Sequence, residues 1–216
     1  MCVQLSTQNR TGQTYQLGGE NSGASQDHKH IQFVPVEDES GPPIERLARR
    51  AQLEFSGSFI VFLCRFVYDP RLSDRPFSLT QLSYASHTIR LPSDIDSHPT
   101  DRLESELASA FIQLLDLSIS TIRHDHAYPN GRPSYNVILT LEHLHIIPRR
   151  YERYILQETG GKLSINSMGF AGMLLAKNEG ELEAMKREGI NKILRGVALE
   201  SVHDIQVEGT TLDSRL

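Results

Sequence analysis

Two runs rich in β-branched residues, 135–140 and 143–148, are separated only by Leu141 and Glu142. A connection that short cannot carry the crossover a parallel pair needs, so the runs must be antiparallel neighbours. Other β-rich stretches fall at 58–67, 77–91 and 162–166, with Tyr68-Asp69-Pro70 and Arg75-Pro76 as turns. Residues 171–177 are apolar and fit either a strand or the start of a helix. Helical periodicity places Ile44, Leu47, Ala48 and Ala51 on one face of 44–55, with Pro43 suited to its first turn. The strongest helix runs from a cap at Thr100 to about Thr121, its broad apolar face made of Leu103, Leu107, Ala110, Phe111, Leu114, Leu115 and Leu117. A charged helix over 178–187 keeps Leu182 and Met185 inside. Helices and strands in this mixed order, joined by hairpins, define an α+β fold built on an antiparallel sheet.

A chain of 216 residues is long enough to bury a real core. Its formal charge of −5 argues against a nucleic-acid polymer as partner, while leaving room for a free nucleotide. Cys2 and Cys64 form neither a disulfide framework nor a zinc pattern, which suits a reducing compartment, the cytoplasm or the nucleus. The longest apolar run, near 59–64, stops at Arg65, too short for a membrane span. Residues 1–16 are polar, lack a signal-peptide core and read as a weakly packed start.

The chemistry concentrates in His28-Lys29-His30-Ile31-Gln32. As a strand, this stretch sets His28, His30 and Gln32 on one face and turns Ile31 and Phe33 toward a core, with Pro35 ending the run. It is fed by Gly18-Gly19-Glu20-Asn21-Ser22-Gly23-Ala24-Ser25-Gln26, whose small residues let backbone N–H groups approach an anion. A nucleophilic imidazole beside a phosphate cradle is the reading these residues support. Ser25 lies outside any G-x-S-x-G elbow, so a serine hydrolase is not indicated. His143-Leu144-His145 echoes the motif but has Ile147 where Gln would stand, and reads as a strand with histidine on its wet face. His124-Asp125-His126 lacks further ligands at useful spacing and reads as a solvated loop; no metal site is expected.

Taken together, Ser22-Gly23-Ala24-Ser25-Gln26 and the His-x-His-x-Gln strand resemble the diadenosine tetraphosphate phosphorylase (ATP adenylyltransferase) family of fungi and some bacteria. That family lies within the histidine-triad and galactose-1-phosphate uridylyltransferase superfamily. The second half resembles it independently, through Ser134-Tyr135-Asn136-Val137-Ile138-Leu139-Thr140, Ile147-Pro148-Arg149 and Ile165-Asn166-Ser167-Met168-Gly169-Phe170-Ala171-Gly172-Met173. The resemblance implies a histidine-triad-like antiparallel sheet with flanking helices, divided into a divergent or disordered start (1–17), a catalytic histidine-triad-like portion (18–122) and a C-terminal ATP adenylyltransferase domain (134–200). It implies that His30 attacks an α-phosphorus to form an adenylyl-histidine, with Gln32 donating to a phosphate oxygen and His28 as a third catalytic-face residue. Gly23, Ala24, Ser25, Gln26 and Gln32 would contact the phosphates, and Asn166, Ser167, Met168, Met173 and Lys177 would complete the substrate site. The ligands implied are diadenosine polyphosphates, ATP, ADP and phosphate, handled by a monomer without membrane contact. No organic cofactor is implied, and a divalent ion would at most accompany the phosphates. A nucleotide-binding paralogue without turnover and a dinucleoside polyphosphate hydrolase are the alternatives.

The chain also departs from the family pattern. The family carries a sizeable segment with a nucleotide-contacting lysine ahead of the glycine-rich turn and an asparagine before the double glycine. Here the turn falls near the start, preceded by Leu17. The expectation is a chain short of the family's N-terminal segment and of part of its phosphate clamp.

Overall fold

The structure, a computed structural model, describes residues 2–6, 30–34, 41–56 and 75–201. Strands β1 (Cys2–Ser6) and β2 (His30–Val34) form an antiparallel ladder. Strands β3 (His87–Arg90), β4 (Ser134–Leu139) and β5 (His143–Arg149) form a second antiparallel sheet in the order β3-β5-β4. β1 runs close beside β4, so the β1–β2 ladder flanks the β4 side of that sheet. A short pair, β6 (Arg153–Ile155) and β7 (Lys162–Ser164), completes the strands among the described residues. The 135–140/143–148 hairpin read from the sequence is β4–β5, in register from Ser134↔Arg149 to Leu139↔Leu144.

Both faces of the β3-β5-β4 sheet are covered. Helix α1 (Pro43–Ser56) and the C-terminal elements cover one face, where Ile44, Ala48, Ile138, Ile147, Ile165 and Phe170 share a core. Helix α2 (Thr100–His124) covers the other, where Leu114 meets Ile89, Val137, Leu144 and Ile146. β5 is buried along its whole length as a result. Short helices α3 (Ser167–Phe170), α4 (Glu179–Glu188) and α5 (Ile190–Arg195) follow β7. No helix among the described residues is long and apolar enough to cross a membrane.

Several expectations need correction. Residues 77–91 are not one strand: Phe77 pairs with Thr88 across a turn that Leu82 N–H→Leu79 O and Leu79 N–H→Ser86 Oγ hold closed, leaving only β3. Thr100 is not the cap of α2; Pro99 occupies that position with no side-chain cap, and Thr100 opens the helix. Leu117 is turned out to 37 % exposure while Ser118 and Ile122 are buried, because the apolar stripe continues at helical spacing from Leu114. Residues 171–177 form neither strand nor helix but an irregular segment entered through Gly172 at φ +99°. The wet-face reading of His143 and His145 fails, since α1 covers that face and both rings are wholly buried. Residues 2–6, placed by sequence in a weakly packed start, pair with β2 as β1. The strand expected at 58–67 lies outside the described residues.

Candidate active site

The motif strand is β2. Its register sets Ser6 opposite His30 and Gln4 opposite Gln32, with Leu5 and Val3 opposite Ile31 and Phe33, so polar residues pair with polar and apolar with apolar. His28 and Gly23, Ala24, Ser25 and Gln26 lie outside the described residues, so of the N-terminal group only the strand positions of His30 and Gln32 are described.

The C-terminal group is built in detail. After β7, Asn166 takes an extended conformation and caps α3, its Oδ1 accepting from the N–H groups of Met168 (3.0 Å) and Gly169 (3.3 Å). With Oδ1 committed, the carboxamide can offer a ligand only its NH2 edge. Gly172 N–H then bonds Gly169 O, and Met173 N–H bonds Met168 O, turning the chain back. The segment that follows ends at Asn178, which caps α4 by accepting from Glu181 N–H, while the Glu181 carboxylate accepts from Lys177 N–H at 2.6 Å.

These turns enclose a pocket of about 220 Å³. Its walls include Asn166, Met173 and Lys177, three of the residues singled out from the sequence, with Leu163, Ile165 and Met185 as an apolar floor and Glu181 beside the lysine. Ser167 and Met168 are not part of the lining. Ser167 is 1 % exposed and its Oγ accepts from Asn136 Nδ2 at 3.1 Å, so it acts from beneath; Met168 is half-buried to one side. The apolar floor suits a planar ring, and the exposed Lys177 at the rim supplies the cationic group.

Sequence reasoning missed two buried polar centres next to this group. In the first, Glu45 of α1, 2 % exposed, places Oε1 2.6 Å from His143 Nδ1, accepts from Thr140 Oγ1 at 2.7 Å, and stands 3.7 Å from His145 Nε2. Burial alone would raise its pKa, but the bonds from His143, His145 and Thr140 outweigh burial and hold the carboxyl well below the usual range. Burial pushes His145 down. Glu142, whose carboxylate is held by Arg49, brings a ligand atom within 4.8 Å of those of Glu45 and His143. Protein donors therefore already serve both carboxylates. In the second centre, Arg149, wholly buried, satisfies its guanidinium with Asn136 Oδ1 and the carbonyls of Ile165, Tyr151 and Glu152. In the first centre Glu45 meets His143 and Thr140 from 98 and 95 residues away, so no local pattern marks it. The Asn136 and Arg149 positions were nevertheless among the motifs quoted for the resemblance.

His124 and His126 are exposed at the end of α2, while the intervening Asp125 pairs with Arg150 at 2.5 Å.

An antiparallel sheet with flanking helices, and a pocket formed where β7 runs into the turns around 166–178, define an α+β protein. The family pattern described as the ATP adenylyltransferase C-terminal domain matches residues 80–200, and the chain belongs to that family. It is 26% identical over 173 residues to diadenosine 5',5'''-P1,P4-tetraphosphate phosphorylase 2 of Saccharomyces cerevisiae, covering 79% of this chain and 46% of that protein. It is likewise 26% identical over 179 residues to Protein APA1 of the same yeast, covering 82% of this chain and 49% of that protein. The chain thus spans about half the length of the curated relatives it matches. Among solved structures, the crystal structure of yeast Ap4A phosphorylase Apa2 superposes with a TM-score of 0.60 at 24% identity over 84% of this chain and 54% of that one. The same yeast protein in complexes with AMP and with Ap4A gives 0.59 and 0.58.

Proposed function

We propose that this chain is a nucleotidyltransferase that cleaves diadenosine tetraphosphate with phosphate to ATP and ADP, and runs the reverse adenylyl transfer, through an adenylyl group on His30. The observation that carries the reading is the gathering of Asn166, Met173 and Lys177 around one pocket, in a chain whose other motif supplies a nucleophile. In this reading residues 18–122 carry the transfer chemistry and 134–200 hold the nucleoside.

A neutral imidazole is largely unprotonated at pH 7 and nucleophilic. A ring nitrogen of His30 forms a bond to the α-phosphorus while the anhydride bond to the rest of the chain breaks, releasing ATP. A phosphate oxygen then attacks the same phosphorus and the P–N bond breaks, giving ADP and free histidine. Gln32 and the 23–26 turn stabilise charge on the phosphoryl oxygens, His28 flanks the nucleophile, and Asn166, Met173 and Lys177 hold the nucleotide, with Ser167 beneath them and Met168 to one side.

The test incubates the full chain with diadenosine tetraphosphate labelled at the α-phosphate and looks for acid-labile, base-stable label on protein. Label lost in His30→Ala and discharged as ADP by inorganic phosphate is the expected result. Label that survives His30→Ala overturns the covalent assignment. AMP binding without label marks a nucleotide-binding module, and turnover that ignores phosphate marks a hydrolase.

A further inference from the structure

Asn166 can present its NH2 edge to the pocket only if the backbone on either side of it is held in place. The sheet supplies that hold through one side chain. Arg149, at the end of β5, turns its guanidinium into the core beneath the β7–α3 junction. Its Nη1 donates to Ile165 O and to Asn136 Oδ1, each at 2.6 Å. Asn136, on β4, donates in turn from Nδ2 to Ser167 Oγ at 3.1 Å. Ile165 and Ser167 are the residues immediately before and after Asn166. The remaining N–H groups grip the other side of the bend: Nη2 donates to Tyr151 O (2.6 Å) and Glu152 O (3.0 Å), and Nε to Tyr151 O (3.0 Å). Glu152 O itself accepts from Ile165 N–H at 3.1 Å, and the Phe170 ring of α3 lies 5.5 Å from the guanidinium carbon. Every one of these oxygens is neutral. A planar fork with five fixed donors can serve them at once, and a lysine ammonium on a flexible stem cannot.

We infer that Arg149, acting through Asn136, is a positioning residue of the pocket, setting the orientation of Asn166 by clamping the backbone at Ile165 and the hydroxyl of Ser167. The inference rests on the proposed nucleotide site at Asn166, Met173 and Lys177 and adds what fixes its geometry. A displacement of the Asn166 amide by about 1 Å removes a directed hydrogen bond and with it a large share of affinity.

The test measures AMP affinity by calorimetry on the full chain, beside thermal unfolding. Arg149→Lys and Asn136→Ala are each expected to raise the AMP dissociation constant about tenfold in protein that remains folded. Asn136→Asp keeps an acceptor for Arg149 and lets the Ser167 hydroxyl donate, so it should restore affinity to within about threefold of the parent. Leu107→Ala, half-buried on α2 against the opposite face of the sheet, should lower the unfolding temperature and leave AMP affinity unchanged. Should Arg149→Lys fail to fold, Asn136→Ala and its Asp counterpart carry the test. Parent-like affinity in folded Asn136→Ala overturns the inference, as does an equal loss in Leu107→Ala. A parent chain that does not bind AMP overturns the nucleotide reading itself.

Discussion

Glu45 shows what one buried side chain contributes here. Its carboxylate, His143 and the Thr140 hydroxyl satisfy one another in a space closed to water, joining α1 to β5 across 98 residues of sequence. Glu45→Gln keeps the volume and removes the charge, leaving the His143 and Thr140 donors to compete for a single acceptor. The expected loss is about 3 kcal/mol, read as a shift of the urea midpoint at unchanged slope. His87 gives the complementary pH effect. Burial lowers its pKa to about 4 while Nε2 sits 2.9 Å from Thr121 Oγ1. Because the unfolded ring takes up a proton near pH 6.5 and the folded ring does not, this stability is complete above pH 6.5 and declines as pH falls toward 4. Glu45 adds a second decline in the same direction below the ordinary carboxylate range. Between pH 7 and 5 the parent chain should lose about 2 kcal/mol more than His87→Gln, which keeps a bond to Thr121 without titrating.

At the scale of elements, α1, α2, α4 and the β4–β5 hairpin were legible because each carries its own periodicity: a stripe of apolar residues or an alternating run closed by a tight turn. Asn166, Met173 and Lys177 were legible through motif alone. The segments misread are those shaped by something distant. Residues 171–177 look like a strand or the start of a helix, yet Gly172 at φ +99° sends them around a pocket, with Pro43 of α1 in the space a side chain would need. That contact is testable. A Cβ on Gly172 would stand 2.5 Å from the Pro43 Cβ, whereas one on Gly160, also at positive φ (+68°), meets nothing within 4 Å. Gly160→Ala should therefore cost only the backbone term, about 1 kcal/mol, and Gly172→Ala that term plus overpacking, about 3 kcal/mol in all. Denaturant unfolding of the two variants separates the terms. Equal losses would mean that α1 yields freely, and the docking of its first turn on the 171–172 bend (Ile44 N–H→Ala171 O, 3.3 Å) would then contribute little.

At the scale of the whole molecule, the β1–β2 ladder flanks β4 of a sheet whose central strand, β5, ends in Arg149 under the pocket. The proposed nucleophile and the proposed nucleoside site therefore meet through β1, which pairs with the motif strand on one side and runs beside β4 on the other. No sequence pattern forecast this: residues 2–6 are a short run in an otherwise polar start, and they become a strand because β2 offers them a partner with matching register. A proline at Leu5, opposite Ile31, removes an N–H from the middle of β1 and breaks its continuity between β2 and β4. Helices α1 and α2 each pack on the β3-β5-β4 sheet through a core cluster of its own. Leu5→Pro should accordingly keep a cooperative thermal transition and the far-ultraviolet signature of the helices. Adenylyl label on His30 should fall by more than tenfold, since a nucleophile displaced by about 1 Å loses its alignment with the α-phosphorus. Undiminished labelling would show that β2 is held by something other than β1, and the two halves of the site would then have to communicate by another route.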